Sequence, residues 1–331
     1  MIQNARGLLL AALLLPWSAP AADIFAANRA LARGINLGNA LEAPEEGAWG
    51  LKLEAAYFEA IQKAGFQHVR LPVRWSAHAM KEAPFTIEPK FLERVDWAVE
   101  QATSRGLRVM LNIHHYEEVF ADPAAHGDRF LALWRQLAEH FAGRPDSLVF
   151  ELLNEPHDRL NHEAWNDLAP LALKIVRGRH PRRPVVIGPA DWNAAGALTR
   201  LKLPPGDRNI IVTFHYYEPF AFTHQGAEWV KESPPLGKKW MGTTEDKAAI
   251  RAQFDAAAAW ARRENRPLHL GEFGSYSKAD LDSRVRWTRT VREEAERQGF
   301  SWAYWEFGSG FGAFNRETGA WREPLLRALV P

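Results

Sequence analysis

Eight times along this chain a short apolar segment is followed by a longer stretch patterned for a helix, and no other feature limits the fold as tightly. The apolar segments fall at 33–39, 66–73, 107–113, 148–156, 184–188, 209–214, 267–274 and 300–305. Helical spacing fills 53–64, 89–105, 128–141, 163–177, 245–263 and 280–298; a shorter helix is expected at 194–201, and 321–329 closes the chain. Apolar runs this short read as strands covered on both faces, the condition of a parallel sheet. Alternating strands and helices pair in parallel through right-handed crossovers, and eight such units close a (β/α)8 TIM barrel of the α/β class, in a single domain. An open doubly wound sheet fits less well. The first strand is followed by no Gly-x-Gly-x-x-Gly turn, and polar residues end nearly every strand instead of gathering at one switch point.

Residues 1–22 read as an export signal peptide: Arg6 gives the positive region, Leu8 to Leu15 the apolar one, and Ala19-Pro20-Ala21-Ala22 a small-residue cleavage site. The domain then runs 23–331, with no appended carbohydrate-binding module expected. The leader's apolar run is too short to span a bilayer, and no later segment approaches that length. A soluble, monomeric, secreted or periplasmic protein of a bacterium is the expectation, with no membrane association. Lys and Arg number 41 against 40 Asp and Glu, and loss of Arg6 would equalise them, so no nucleic-acid partner is expected. The absence of cysteine excludes thiolate-bound zinc, iron–sulfur and cysteine-nucleophile chemistry. No cofactor is expected. Fourteen Trp and eighteen Phe stand out: aromatics can fill a core, but exposed ones give flat apolar faces that suit sugar rings or other planar-sided ligands. Trp49, Trp192, Trp229 and Trp240 fall in strand-end loops, where stacking on outlying sugar rings and packing into core or rim are equally open, and the longest irregular stretch, 218–244, is expected to wall a cleft.

Chemistry-bearing residues sit at the strand ends. Leu148-Val149-Phe150-Glu151-Leu152-Leu153 delivers Asn154-Glu155-Pro156, and Leu268-His269-Leu270 delivers Gly271-Glu272-Phe273-Gly274. The C-terminal ends of barrel strands are where such folds hold their reactive groups. Two carboxylates from separate strands meet the requirement of glycoside hydrolysis, one to protonate the leaving oxygen and one to attack the sugar or activate water. His114 and His115 leave a hydrolytic metal site open as a rival, although no His-x-His pair is present and the first strand carries neither His nor Asp. A catalytically silent carbohydrate-binding barrel is the other alternative.

Across the whole mature chain the ordered motifs resemble those of the cellulase-type glycoside hydrolases of family 5. They are Val69-Arg70-Leu71-Pro72, Leu111-Asn112-Ile113-His114-His115, Leu152-Leu153-Asn154-Glu155-Pro156, Phe214-His215-Tyr216-Tyr217, Leu270-Gly271-Glu272-Phe273-Gly274 and Ala303-Tyr304-Trp305-Glu306-Phe307. The resemblance implies a retaining double displacement with Glu272 as nucleophile and Glu155 as acid/base. It implies that Arg70 and Tyr217 hold Glu272, and that His215 tunes Glu155. Asn154, His114 and His115 would bind sugar hydroxyls, Trp305 would floor the subsite, and the Trp305–Glu306 peptide is often cis. The substrate so implied is a β-linked polysaccharide or oligosaccharide, foremost a β-1,4-glucan cut internally; mannanase, xyloglucanase and exo-acting specificities occur in the same family. No metal is implied.

Overall fold

Helix α1 (Ile24–Leu31) opens the described part of the chain, residues 23–331 of the computed structural model, and Asp23 caps it by accepting the Phe25 N–H. The expected leader lies outside these residues. Then follow β1 (Arg33–Asn36), α2 (Ala55–Lys63), β2 (His68–Leu71), α3 (Pro89–Thr103), β3 (Arg108–Asn112), α4 (Glu117–Ala121), α5 (Pro123–His140) and β4 (Leu148–Glu151). The second half contains α6 (His162–Arg179), β5 (Val185–Ile187), a 3-10 turn (Ala195–Arg200), β6 (Ile210–Tyr216), α7 (Phe220–Thr223), α8 (Thr244–Glu264), β7 (Leu268–Phe273), α9 (Leu281–Arg297) and β8 (Ser301–Tyr304). A small hairpin, β9 (Phe314–Asn315) with β10 (Ala320–Trp321), precedes α10 (Glu323–Leu329).

Strands β1 to β8 pair in sequence order, all in parallel, and β8 closes on β1. The (β/α)8 barrel is therefore present as the alternation requires. Nearly every strand residue is buried, since helices cover the outside and side chains fill the inside. α1 seals the N-terminal end of the barrel, where Ile24 and Leu31 pack with Met110, Val149, Val186 and Ile211.

Caps explain where the helices start. Asn161 caps α6, Asp280 caps α9, and Thr243 with Asp246 forms a capping box on α8. The α5 boundary differs from the expected 128: Asp122 accepts the Ala125 N–H and Pro123 occupies the first turn, so the helix runs through Gly127. After β5 the expected helix is only the 3-10 turn. Among the described residues no helix is long and apolar enough to cross a membrane.

Candidate active site

Arg70, fully buried near the end of β2, organises the upper end of the barrel. Its Nε and Nη2 donate to the two oxygens of Glu151 at 2.6 and 2.8 Å, Nη2 donates also to Asn154 Oδ1 at 2.7 Å, and Nη1 to Glu272 Oε1 at 2.7 Å and Asn36 Oδ1 at 2.9 Å. A guanidinium has five N–H donors, and all five are engaged. Burial alone would push Arg70 toward losing its proton, but the charges of Glu151 and Glu272 more than reverse this, so it stays cationic.

Glu272 comes from β7 and is buried. Strict alternation from His269, which faces the interior beside His68, would turn Glu272 outward. The register with β6 prevents this. Phe214 pairs with Leu270, but His215 pairs with Glu272, so β7 carries one additional residue, Gly271, and the bulge aims Glu272 at Arg70. The other Glu272 oxygen accepts the Tyr217 hydroxyl at 2.8 Å. Burial raises the Glu272 pKa, while His215, Arg70 and Tyr217 act against that rise.

Glu155 stands beyond the end of β4 with φ of 45°, in the left-handed region, and its carboxylate is partly open to the cleft. Oε1 lies 2.6 Å from His215 Nδ1, which is also 3.6 Å from Glu272 Oε2. Burial lifts Glu155 to about 7 against the pull of Arg70, and burial lowers His215 to about 4, so the ring is neutral. Ligand atoms of Glu155, His215 and Glu272 all lie within 4.8 Å of one another. That spacing also suits a cation. Yet the Glu272 oxygens are already engaged by Arg70 and Tyr217 and His215 Nδ1 by Glu155, and a cation would sit beside a guanidinium.

The remaining expected residues surround this pair. Asn154 is buried against Arg70, and Asn112 lies 3.1 Å from His114 Nδ1. His114 stacks in parallel with Trp305 at 5.6 Å, and His115 meets the edge of Trp49 at the same distance. The Trp305–Glu306 peptide is cis. Gly274 is required by close approach, because a Cβ there would come within 2.0 Å of the Trp305 carbonyl oxygen. A cleft of about 1690 Å³ runs over these groups and is lined by Trp49, Trp192 and Trp229, with exposures of 41%, 52% and 59%.

The structure also places two residues that the sequence left open. Trp240 does not face the cleft; it is 3% exposed, and its backbone carbonyl accepts from Arg286 of α9. Glu306 is fully buried, accepting the N–H groups of Gly308, Ser309 and Phe311; burial raises it to about 7. Several residues were missed: Glu151, Asn36 and Asn193, and Glu42, buried beside the cleft and lifted by burial to about 8. Only Glu151 left a trace, as a charge interrupting an otherwise apolar run.

The chain matches the profile described as Cellulase (glycosyl hydrolase family 5) over residues 32–310. It belongs to glycosyl hydrolase family 5. Among family 5 structures, Thermotoga maritima Cel5A in complex with cellobiose superimposes with a TM-score of 0.92 at 48% identity, covering 93% of this chain and 100% of that one. The cellulose synthase subunit Z of Clostridioides difficile gives 0.88 at 40%, covering 91% and 100%. Endoglucanase H of Acetivibrio thermocellus is 37% identical over 95% of this chain. The chain spans only 34% of Endoglucanase H, and 39% of the Cellulase/esterase CelE of the same organism.

Proposed function

We propose that this family 5 chain is a retaining glycosidase that cuts internal β-1,4-glucosidic bonds of cellulose-type or mixed-linkage glucans. The observation that carries the reading is the approach of Glu155 and Glu272 to within 4.8 Å in unlike environments. Retaining enzymes hold their carboxyl groups roughly 5 to 5.5 Å apart, whereas inverting ones leave roughly 6.5 to 9.5 Å for a water.

In the first step Glu272, kept anionic by Arg70, attacks the anomeric carbon while Glu155 gives its proton to the departing oxygen. The C1–oxygen bond breaks and a glycosyl ester on Glu272 forms. Glu155, now a carboxylate, then takes a proton from water as that water attacks C1 and expels Glu272. A pKa near 7 allows both duties of Glu155. Trp305 provides a flat face beside the reacting sugar, and His114, His115 and Asn154 offer polar groups to its hydroxyls.

The likeness to an endoglucanase and to a Cel5A crystallised with cellobiose supports a glucan substrate. Thermotoga maritima Cel5A has also been crystallised with mannotriose, which favours β-mannan as the second polymer to examine. The deciding experiment follows viscosity and reducing ends on β-glucans and β-mannan, for wild type and Glu272→Ala, with the product anomer read by NMR. A fast viscosity drop with β-anomer product, absent from the variant, fits the proposal. Inverted product, activity in Glu272→Ala, or sensitivity to a chelator would sink it. We also propose that residues 1–22 direct export and that the mature chain is a monomer. N-terminal sequencing of exported protein and its mass in solution test these.

A further inference from the structure

Asn193 takes no part in the scheme above, yet the backbone is strained to place it. Asp191, Trp192 and Asn193 follow one another with φ of 70°, 54° and 55°, a left-handed run that non-glycine residues seldom adopt. Asn193 ends that run fully buried, and its carbonyl accepts the His215 N–H at 2.9 Å. Its side chain occupies space that Gly188 leaves open, where a Cβ would lie 2.3 Å from Oδ1. There Nδ2 lies 3.4 Å from His215 Nε2, while Oδ1 has no hydrogen-bond partner among the described residues. His215 is thus held from both sides, with Nε2 toward Asn193 and Nδ1 toward Glu155.

We propose that Asn193 is a positioning residue whose amide donates to Nε2 of His215 and so keeps the single imidazole proton on Nδ1, facing Glu155. The inference rests on the reading of Glu155 as the acid/base. A neutral imidazole has one N–H, and the partner of one nitrogen fixes the role of the other. With the proton on Nδ1, His215 donates to the carboxylate that Glu155 becomes after it has protonated the leaving group, favouring that ionised form against the burial that opposes it. With the proton on Nε2 instead, Nδ1 would accept from the acid form and hold the proton back.

Other charged or titratable groups face the pair. Arg70 of β2 and Glu151 of β4 act on both His215 and Glu155, Glu272 of β7 acts on His215, and His157 acts on Glu155. His114, His269 and Tyr217 also feel one or the other. None of them reaches Nε2, so the tautomer rests with Asn193.

The test uses the full chain with 15N-labelled histidine, the His215 signals being assigned by their loss in His215→Phe. Wild type is expected to show Nδ1 protonated and Nε2 bare at neutral pH. Asn193→Gly suits the left-handed φ and deletes the side chain that carries the amide. It should lose the tautomer preference, move the alkaline limb of kcat/KM up by about half to one pH unit, and lower kcat more than it changes KM. Asn193→Asp replaces the donor by an acceptor and should transfer the proton to Nε2. A protonated Nε2 in wild type overturns the proposal, as does a tautomer and alkaline limb unmoved in Asn193→Gly. The nitrogen spectrum needs no turnover, so a wild type inactive on every glycan would defeat the functional reading while this measurement still decided the role of Asn193.

Discussion

Arg70 grips Glu151, a residue with no part in the chemistry, by two parallel hydrogen bonds of 2.6 and 2.8 Å, and reaches the nucleophile position at Glu272 by one of 2.7 Å. Glu151 balances the guanidinium and fixes its plane, leaving Nη1 aimed at Glu272. Replacing Glu151 by Gln keeps the shape and removes the charge. Breaking a buried ion pair costs about 3–5 kcal/mol, and urea unfolding of Glu151→Gln should read a loss of that order. An unchanged midpoint would show that Arg70 needs no such counterweight.

The pH dependence of kcat/KM should be a bell. Activity requires protonated Glu155, so the alkaline limb falls near pH 7, and ionised Glu272, whose raised pKa puts the acid limb above the ordinary carboxylate range. Glu155→Gln should abolish the alkaline limb. A limb persisting at the same pH would assign it to another group.

Removal of the acid is predicted to hurt in proportion to the leaving group. Glu155→Ala should lower kcat on polysaccharide by about 10² to 10⁴-fold, the usual contribution of general acid catalysis. On an aryl glycoside whose phenol leaves without help, glycosyl-enzyme formation should stay near the wild-type rate. Equal losses on both substrates would contradict the role given to Glu155.

Conformational stability should peak near pH 6.5. Glu42, Glu155 and Glu306 titrate at about 8, 7 and 7 in the fold, and Glu272 is raised too. Such groups favour the folded state at low pH, and their contribution is lost as pH rises through the folded values. His68, His115, His215 and His224 titrate at about 4, and His114 and His269 lie lower than an ordinary histidine. They favour the fold above about 6.5, and this is lost as pH falls toward 4. Below 6.5 these six outweigh the four carboxyls; above it only the carboxyls act. Thermal melts from pH 4 to 9 that rise or fall throughout would refute the balance.

Two tryptophans should separate binding from stability. Trp229→Ala removes an exposed face from the cleft wall and should raise KM on polymer with little change in melting temperature. Trp240→Ala empties a buried site and should cost about 3–5 kcal/mol of stability. The reverse pattern would overturn both assignments.

The barrel was legible because its eight strands are short, mainly apolar segments and its helices keep their period, so the order of elements settled the pairing. The residues ending those strands were legible for a similar reason: Glu155, His215 and Trp305 are polar or aromatic punctuation after apolar runs. Glu151 and Asn36 escaped, although each is the last residue of its strand, because each gains its meaning only from Arg70 on another strand of the sheet. The inward turn of Glu272 depends on a bulge, which shifts register without leaving a distinct residue pattern. Trp240 could not be assigned from sequence because a loop of that length can fold back on α9 as readily as line a cleft, and sequence distance does not distinguish the two.

The seal at the bottom of the barrel would make removal of the proposed leader a matter of accuracy. Asp23 caps α1 and Ile24 lies in the plug, so the first two described residues are already structural. A signal peptidase acting after Ala22, the proposed site, would leave both in place. A cut two bonds later would remove the cap and one of the plug's apolar side chains. For this enzyme the position of one scissile bond would then tie export to the integrity of the fold.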